Sequence, residues 1–135
     1  VGFDNVLGYL EGGIEAWKAA GFETAFIHSI SPEDFANQLD IKSIVVDARK
    51  PGEYEAEHVA NSLNIPLDTI NENFQSVPKS NDFFLHCAGG YRSVIMASIL
   101  KSRGIHNIIN IEKGMSGIKQ TKVSCTQFQC PLDKK

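Results

Sequence analysis

The fold is decided by a stretch in which a strand, a glycine turn and a helix start follow one another: Phe83-Phe84-Leu85-His86-Cys87-Ala88-Gly89-Gly90-Tyr91-Arg92-Ser93. Its continuous apolar run predicts a strand over 82–86 that is covered on both faces. Apolar residues after Ser93 predict a helix over 93–103, and Gly104 is the expected terminator. Because a buried strand passes directly into a helix, the stretch is typical of a parallel sheet in an α/β domain.

The same alternation continues on both sides of this stretch. Ser31 and Pro32 mark a helix start, since Ser is a favoured N-cap and Pro a favoured first residue. Short helical segments are expected at 51–57 and 68–74. Short strands are predicted at 27–30, 43–47 and 107–111, with a brief extended piece at 63–66. We therefore expect an α/β fold with a mostly parallel central sheet and helices on both faces.

Composition excludes several classes of protein. The chain has 135 residues, of which 42% are hydrophobic and 21% charged, and this fits one small globular domain. A net charge of −3 argues against a nucleic-acid partner. No apolar run approaches the roughly 20 residues that a membrane span needs. With no signal-peptide pattern and only three cysteines, we expect a reducing, cytoplasmic location and no membrane partner.

The turn after the predicted strand carries the residues suited to chemistry. Ligands of open α/β sheets bind beyond the carboxyl ends of the strands, where Cys87 stands. Gly89 and Gly90 allow consecutive backbone N–H groups to face inward as an anion cradle. The helix N-terminus and Arg92 add positive charge, which lowers the pKa of a nearby thiol. These features favour a sulfur nucleophile meeting an anionic substrate, although free cysteines are often only small buried hydrophobes.

Loop length distinguishes two chemistries. Cysteine phosphatases show a similar pattern, with His-Cys, five residues, and then Arg and Ser or Thr. Here only four residues separate Cys87 from Arg92. The shorter loop forms a tighter cradle, with room for one extra sulfur on Cys87 but little room for a phosphate group. The spacing therefore favours sulfur transfer.

Three motifs in order give residues 28–119 a resemblance to the rhodanese (sulfurtransferase) domain. Asp47-Ala48-Arg49, followed by Glu53-Tyr54 and the segment 57–66, is similar to the first signature of that family. His86-Cys87 and the loop to Arg92 resemble its active site. Gly114-Met115-Ser116-Gly117-Ile118 resembles its closing motif, with Ile where the family usually has Trp.

The resemblance implies a mechanism in two transfers. The Cys87 thiolate takes the outer sulfur of a small anionic donor such as thiosulfate, and a thiol or cyanide acceptor then removes it. Arg92 is expected to act with Cys87 in catalysis. The alternative is that Arg92 points away to an acidic residue such as Asp47 or Glu53 and only braces the loop. No metal or cofactor is implied. The loop residues expected to bind substrate are Ala88, Gly89, Gly90, Tyr91 and Ser93.

Further residues receive supporting roles. Asp47 and Arg49 are expected to form a structural ion pair, with direct fixing of the active loop as the alternative. His58 is expected to form structural hydrogen bonds, and His86 is expected to belong to the scaffold. Cys125 and Cys130 are interpreted as inert, with a disulfide or a relay thiol as the alternative.

Two other functions stay open at this point. Rhodanese-like domains also serve as non-catalytic regulatory or docking modules beside another enzyme. A small cysteine phosphatase or arsenate reductase is the other alternative, and the loop length disfavours it.

An internal repeat suggests the domain organisation. Residues 10–18, LEGGIEAWK, align with residues 111–119, IEKGMSGIK, at an offset of 101 residues. We interpret residues 1–22 as the end of a preceding rhodanese-like domain in the same polypeptide, 23–123 as the complete domain and 124–135 as an irregular tail. Chance similarity over nine residues is the alternative. In one known arrangement, such a tandem pair follows a metallo-β-lactamase-like domain, and the resemblance suggests this domain as the upstream partner.

Overall fold

A five-stranded parallel sheet forms the centre of the computed structural model, which describes residues 4–127. Its order is β1-β6-β5-β2-β4, and every neighbouring pair is parallel. Two further strands, β3 and β7, pair antiparallel in a small second sheet. The strands are β1 (Ser29–Ile30), β2 (Val45–Asp47), β3 (Glu57–Val59), β4 (Leu63–Asn64), β5 (Phe83–His86), β6 (Ile108–Ile111) and β7 (Cys125–Gln127).

Helices cover both faces of the central sheet, as predicted. They are α1 (Gly13–Ala19), α2 (Pro32–Gln38), α3 (Pro51–Ala56), α4 (Ile70–Asn73), α5 (Tyr91–Ser102) and α6 (Gly114–Ile118). Along β5, Phe83 and Leu85 point into a core that α5 closes with Met96, Ala97 and Leu100. Phe84 points the other way, into a core closed by α2 and α6 with Phe35, Met115 and Ile118. This alternation follows from the two-residue period of a strand.

Several element boundaries differ from the prediction. Helix α5 begins at Tyr91 rather than Ser93, because Gly90 at φ 109° turns the chain into the helix. The helix expected at 68–74 is only α4, flanked by 3₁₀ turns at Leu67–Thr69 and Phe74–Ser76. Strand β1 is limited to the last two residues of the predicted 27–30.

The prediction of an irregular tail over 124–135 is wrong for its first residues. Cys125–Gln127 form β7 and pair with β3, with Cys125 opposite Val59. The cause is tertiary, since Val123 and Cys125 pack against the core under α2 and α6. The remainder of that tail, with Cys130, lies outside the described residues.

The N-terminal segment packs differently from the rest of the described chain. Helix α1 contains no buried residue. Trp17, the largest side chain of α1, is 41% exposed, and its indole N–H donates to the carbonyl of Glu23 at 2.7 Å. The assignment of this segment to a preceding domain stays a prediction. None of the helices formed by residues 4–127 combines the length and apolarity that a membrane crossing requires.

Candidate active site

The site is centred on Cys87, the first residue after β5 at the carboxyl edge of the sheet. The residue is only 1% exposed. Its Sγ accepts a hydrogen bond from the backbone N–H of Gly90 at 3.1 Å and lies 3.6 Å from Oγ of Ser93. The loop therefore folds back over the sulfur and presents the backbone N–H of Gly90 to it.

These hydrogen bonds determine the acidity of the thiol. Burial alone raises the pKa of Cys87, because a charged sulfur loses its hydration. The hydroxyl of Ser93 and the backbone N–H groups of Ser93, Gly90 and Gly89 act in the opposite direction and outweigh burial. The pKa of Cys87 consequently lies below that of an ordinary thiol, so the site enriches the nucleophilic thiolate.

Helix α6 holds the active loop from the other side. The backbone N–H groups of Met115 and Ser116 donate to the carbonyls of Cys87 and Ala88, at 2.7 and 3.1 Å. Gly114 adopts φ 51°, and any Cβ there would collide with the carbonyl of Cys87. The closing motif therefore needs glycine at this position so that the two backbones can approach each other.

Arg92 forms a two-pronged ion pair with Glu53 of α3. Nη1 and Nη2 of Arg92 lie 2.6 and 2.9 Å from the two carboxylate oxygens. The Arg92 hydrogen bond lowers the pKa of Glu53 to about 2, and Glu53 raises the pKa of Arg92. Glu53 stands within the first signature motif and is one of the two acidic residues expected as alternative partners of Arg92, although it is not among the predicted site residues.

Asp47 and Arg49 form a buried ion pair beside the loop. Nη2 of Arg49 lies 2.8 Å from Oδ2 of Asp47 and also donates to the carbonyl of Glu57 at 2.6 Å. The side-chain amide of Asn64 donates to the carbonyls of both Asp47 and Arg49. These contacts tie together the ends of β2, β3 and β4, while the N–H of Ala48 donates to the carbonyl of His86 at 2.9 Å.

Residues 31–121 match the family described as the rhodanese-like domain. The chain belongs to the rhodanese-like family. This match covers the central sheet except β1, together with the Cys87 loop and the closing helix α6.

Relatives of this rhodanese-like domain include proteins named for sulfur transfer. It is 36% identical over 64 residues to a tRNA sulfurtransferase of Thermoplasma acidophilum, covering 47% of this chain and 12% of that protein. It is 30% identical over 93 residues to a tRNA uridine(34) hydroxylase of Buchnera aphidicola, covering 64% of this chain and 30% of that protein. The chain spans less than half the length of the curated relatives that it matches first.

A solved structure shows the same rhodanese-like fold. The crystal structure of a rhodanese-related protein from Thermoplasma volcanium matches with a TM-score of 0.66 and 27% sequence identity. The match covers 76% of this chain and 99% of that one.

Neither histidine of the rhodanese-like motifs hydrogen-bonds to the Cys87 sulfur within residues 4–127. His58 stacks on Tyr54 at 3.8 Å, and its ring nitrogens contact the Tyr54 carbonyl and the Thr126 hydroxyl at 2.6 and 2.9 Å. His86 is fully buried, and loss of hydration lowers its pKa. Its Nδ1 lies 3.1 Å from the carbonyl of Cys87, so His86 contacts the loop backbone.

Tyr91 and Cys125 complete the set of predicted residues. Tyr91 is 85% exposed and lines a groove of about 530 Å³ together with Gly89, Gly90, Val94 and Ile95. Its side chain therefore stands at the rim of the loop rather than over the sulfur. Cys125 lies on β7 in the small second sheet, and burial raises the pKa of its thiol.

Proposed function

We propose that this rhodanese-like domain is a sulfurtransferase that carries sulfur as a persulfide on Cys87. One observation supports the proposal above all others. A cysteine at the end of a central strand has its Sγ bound by the backbone N–H of Gly90, the N-cap of α5, and its pKa is lowered. Such a sulfur is a good nucleophile. The same hydrogen-bond donors can stabilise a negative charge on the outer sulfur of a Cys87 persulfide.

The reaction consists of two displacements at the transferred sulfur. The Cys87 thiolate attacks the outer sulfur of a donor such as thiosulfate, and the donor's S–S bond breaks. Sulfite leaves with the electron pair of that bond, and Cys87–S–S⁻ remains. Cyanide or an acceptor thiolate then attacks the outer sulfur, and Sγ leaves as the thiolate. No external oxidant, reductant or metal enters this balance.

The loop residues have separable tasks in this scheme. The N–H groups of Gly89, Gly90 and Ser93 stabilise the charge on sulfur, and Ser93 adds its hydroxyl. Ala88 presents its carbonyl to α6 and so anchors the loop.

A small anionic donor and a thiol or cyanide acceptor are the proposed partners, together with an upstream domain of the same polypeptide. A cytoplasmic location would keep Cys87 reduced.

The deciding experiment is a thiosulfate:cyanide assay and a phosphate-ester assay on the same preparation. We expect sulfur transfer, no phosphatase activity, and a Cys87 peptide that gains the mass of one sulfur atom after incubation with donor. Cys87→Ser should lose essentially all transfer while keeping its thermal unfolding profile, because a serine hydroxyl stays protonated at neutral pH.

Cys125→Ser is the matched control and should keep its activity, since Cys125 lies on a different sheet. Phosphatase activity would replace the proposal with the phosphatase alternative. A folded protein that forms no persulfide with any donor would favour the docking-module alternative instead.

A further inference from the structure

We infer that Glu53 sets the donor preference of the site by cancelling the charge of Arg92. The site then favours donors of low negative charge, such as the persulfide of a thiol, over a dianion such as thiosulfate. This inference rests on the proposed sulfur transfer and names the class of donor within it.

The geometry of the pair reduces the attraction of Arg92 for an anionic donor. Both terminal nitrogens of the guanidinium bind one carboxylate, at 2.6 and 2.9 Å, in the planar arrangement that suits this pair best. The carboxylate is itself fixed, because Oε2 of Glu53 also accepts the backbone N–H of Lys50 at 3.1 Å. Two of the five guanidinium N–H groups are used in this way, so an anion that approaches the others meets an arginine whose charge is already neutralised by the anchored carboxylate beside it.

The other charged side chains near the loop also have an opposite charge close by. Arg49 is paired with the buried carboxylate of Asp47 at 2.8 Å. Lys113 is exposed and lines the groove beside the loop, and the exposed Glu112 lines the same groove. Within residues 4–127, the attraction for an anion at Cys87 therefore comes mainly from backbone N–H groups.

This balance discriminates between donors by their charge. The Coulomb energy between a cation and a donor is proportional to the donor's charge, so a dianion loses twice as much as a monoanion when the cation is cancelled. A thiol persulfide carries at most one negative charge on its terminal sulfur. It reacts as Cys87–S⁻ plus R–S–SH giving Cys87–S–SH plus R–S⁻, which conserves atoms, charge and electrons.

Glu53→Gln tests the inference with little change of shape. The amide oxygen of Gln can still accept hydrogen bonds from Lys50 and Arg92, but the negative charge is gone. We would measure alkylation of Cys87 by anionic iodoacetate and by neutral iodoacetamide, following the Cys87 peptide by mass spectrometry. The iodoacetate-to-iodoacetamide rate ratio should rise about 3- to 10-fold in Glu53→Gln. Glu55→Gln, an exposed position on the same helix, should change it by less than about 2-fold.

Donor kinetics provide the second arm. In Glu53→Gln, kcat/KM for thiosulfate should rise about 3- to 10-fold relative to kcat/KM for a small thiol persulfide. The unmodified protein supplies a measurement that does not depend on the folding of any variant. Its kcat/KM for thiosulfate should change less than about 2-fold between low and high salt, because a cancelled charge leaves little to screen.

The outcomes separate this inference from the proposed function. Persulfide formation with an unchanged alkylation ratio in Glu53→Gln overturns the inference and leaves sulfur transfer standing. A steep loss of thiosulfate activity with salt in the unmodified protein overturns it as well. A raised alkylation ratio in a protein that forms no persulfide with any donor refutes the sulfur-transfer proposal instead.

Discussion

At the scale of single residues, hydrogen bonds to the sulfur account for the acidity of Cys87. The sequence indicates a lowered pKa from the helix N-terminus and from Arg92. In the structure the largest favourable cause is the Ser93 hydroxyl, followed by the backbone N–H groups of Ser93, Gly90 and Gly89. Arg92 is instead committed to Glu53. Substitution of Ser93 is therefore a direct test of what lowers the pKa of Cys87.

Ser93→Ala should raise the pKa of Cys87, because it removes a hydroxyl that favours the thiolate while burial still opposes it. Below the pKa the thiolate fraction falls as the pKa rises. On the rising limb of the pH–rate profile, alkylation of Cys87 by iodoacetamide should therefore slow about 3- to 10-fold, with the whole profile displaced to higher pH. Ser98→Ala, on the exposed face of α5, is the control. An undisplaced profile in Ser93→Ala would assign the lowered pKa to the backbone alone.

At the scale of elements, the loop is held between two helices that contact it with their first residues. Helix α5 begins where the loop ends, at Gly90. Helix α6 donates its first N–H groups to the carbonyls of Cys87 and Ala88. The second contact depends on the absence of a side chain at Gly114. The closing motif is therefore part of the site although none of its side chains contacts the sulfur.

Gly114→Ala should destabilise the protein and slow the sulfur chemistry together. The new Cβ would collide with the Cys87 carbonyl, and φ 51° is unfavourable for alanine. We expect a loss of about 1–3 kcal/mol in unfolding free energy, measured by urea titration, and slower Cys87 alkylation. Gly52→Ala is the control, because open space surrounds Gly52 within α3. Equal stability of the two variants would show that α6 does not hold the loop.

The sequence predicts the elements whose periodicity and turn residues lie close together in the chain. The strand before Cys87, the glycine turn and the helix after it are adjacent in the chain, so periodicity and turn chemistry locate them. Strand β7 escapes prediction, since Cys125 pairs with Val59 and the polar tail has no strand pattern of its own. The Glu53–Arg92 pair likewise joins residues 39 positions apart, and only the folded chain shows which acidic residue Arg92 meets.

At the scale of the whole molecule, the backbone conformation at the start of α1 resembles that at the start of α6, but α1 contains no buried residue whereas α6 does. Gly12 and Gly13 have φ values of 81° and 58°, and the aligned Lys113 and Gly114 have 60° and 51°. A short helix follows in both segments. The repeat detected in the sequence is therefore also a repeat of conformation, which supports the proposal that residues 1–22 close a preceding rhodanese-like domain.

The two helices of this repeat allow a matched test of that proposal. Trp17 aligns with Ile118; Trp17 is 41% exposed, whereas Ile118 is fully buried between α2 and the sheet. If α1 belongs to another domain, Trp17→Ser should leave the unfolding temperature within about 2 °C, because Trp17 packs on Phe22 and bonds to Glu23 near its own segment rather than in the core. Ile118→Ala should cost about 2–5 kcal/mol, as buried aliphatic truncations do.

Removal of residues 1–22 extends this test to the whole segment. The shortened chain keeps Phe26, whose carbonyl accepts from Lys101 of α5, and neither core cluster contains a residue from 4–22. We expect a change of less than about 5 °C in unfolding temperature by calorimetry, corresponding to about 1 kcal/mol, and unchanged alkylation of Cys87. A truncated chain that unfolds, or a Trp17→Ser variant as unstable as Ile118→Ala, would place α1 in the core of this domain. The repeat would then be a coincidence of sequence and backbone rather than the end of a neighbouring domain.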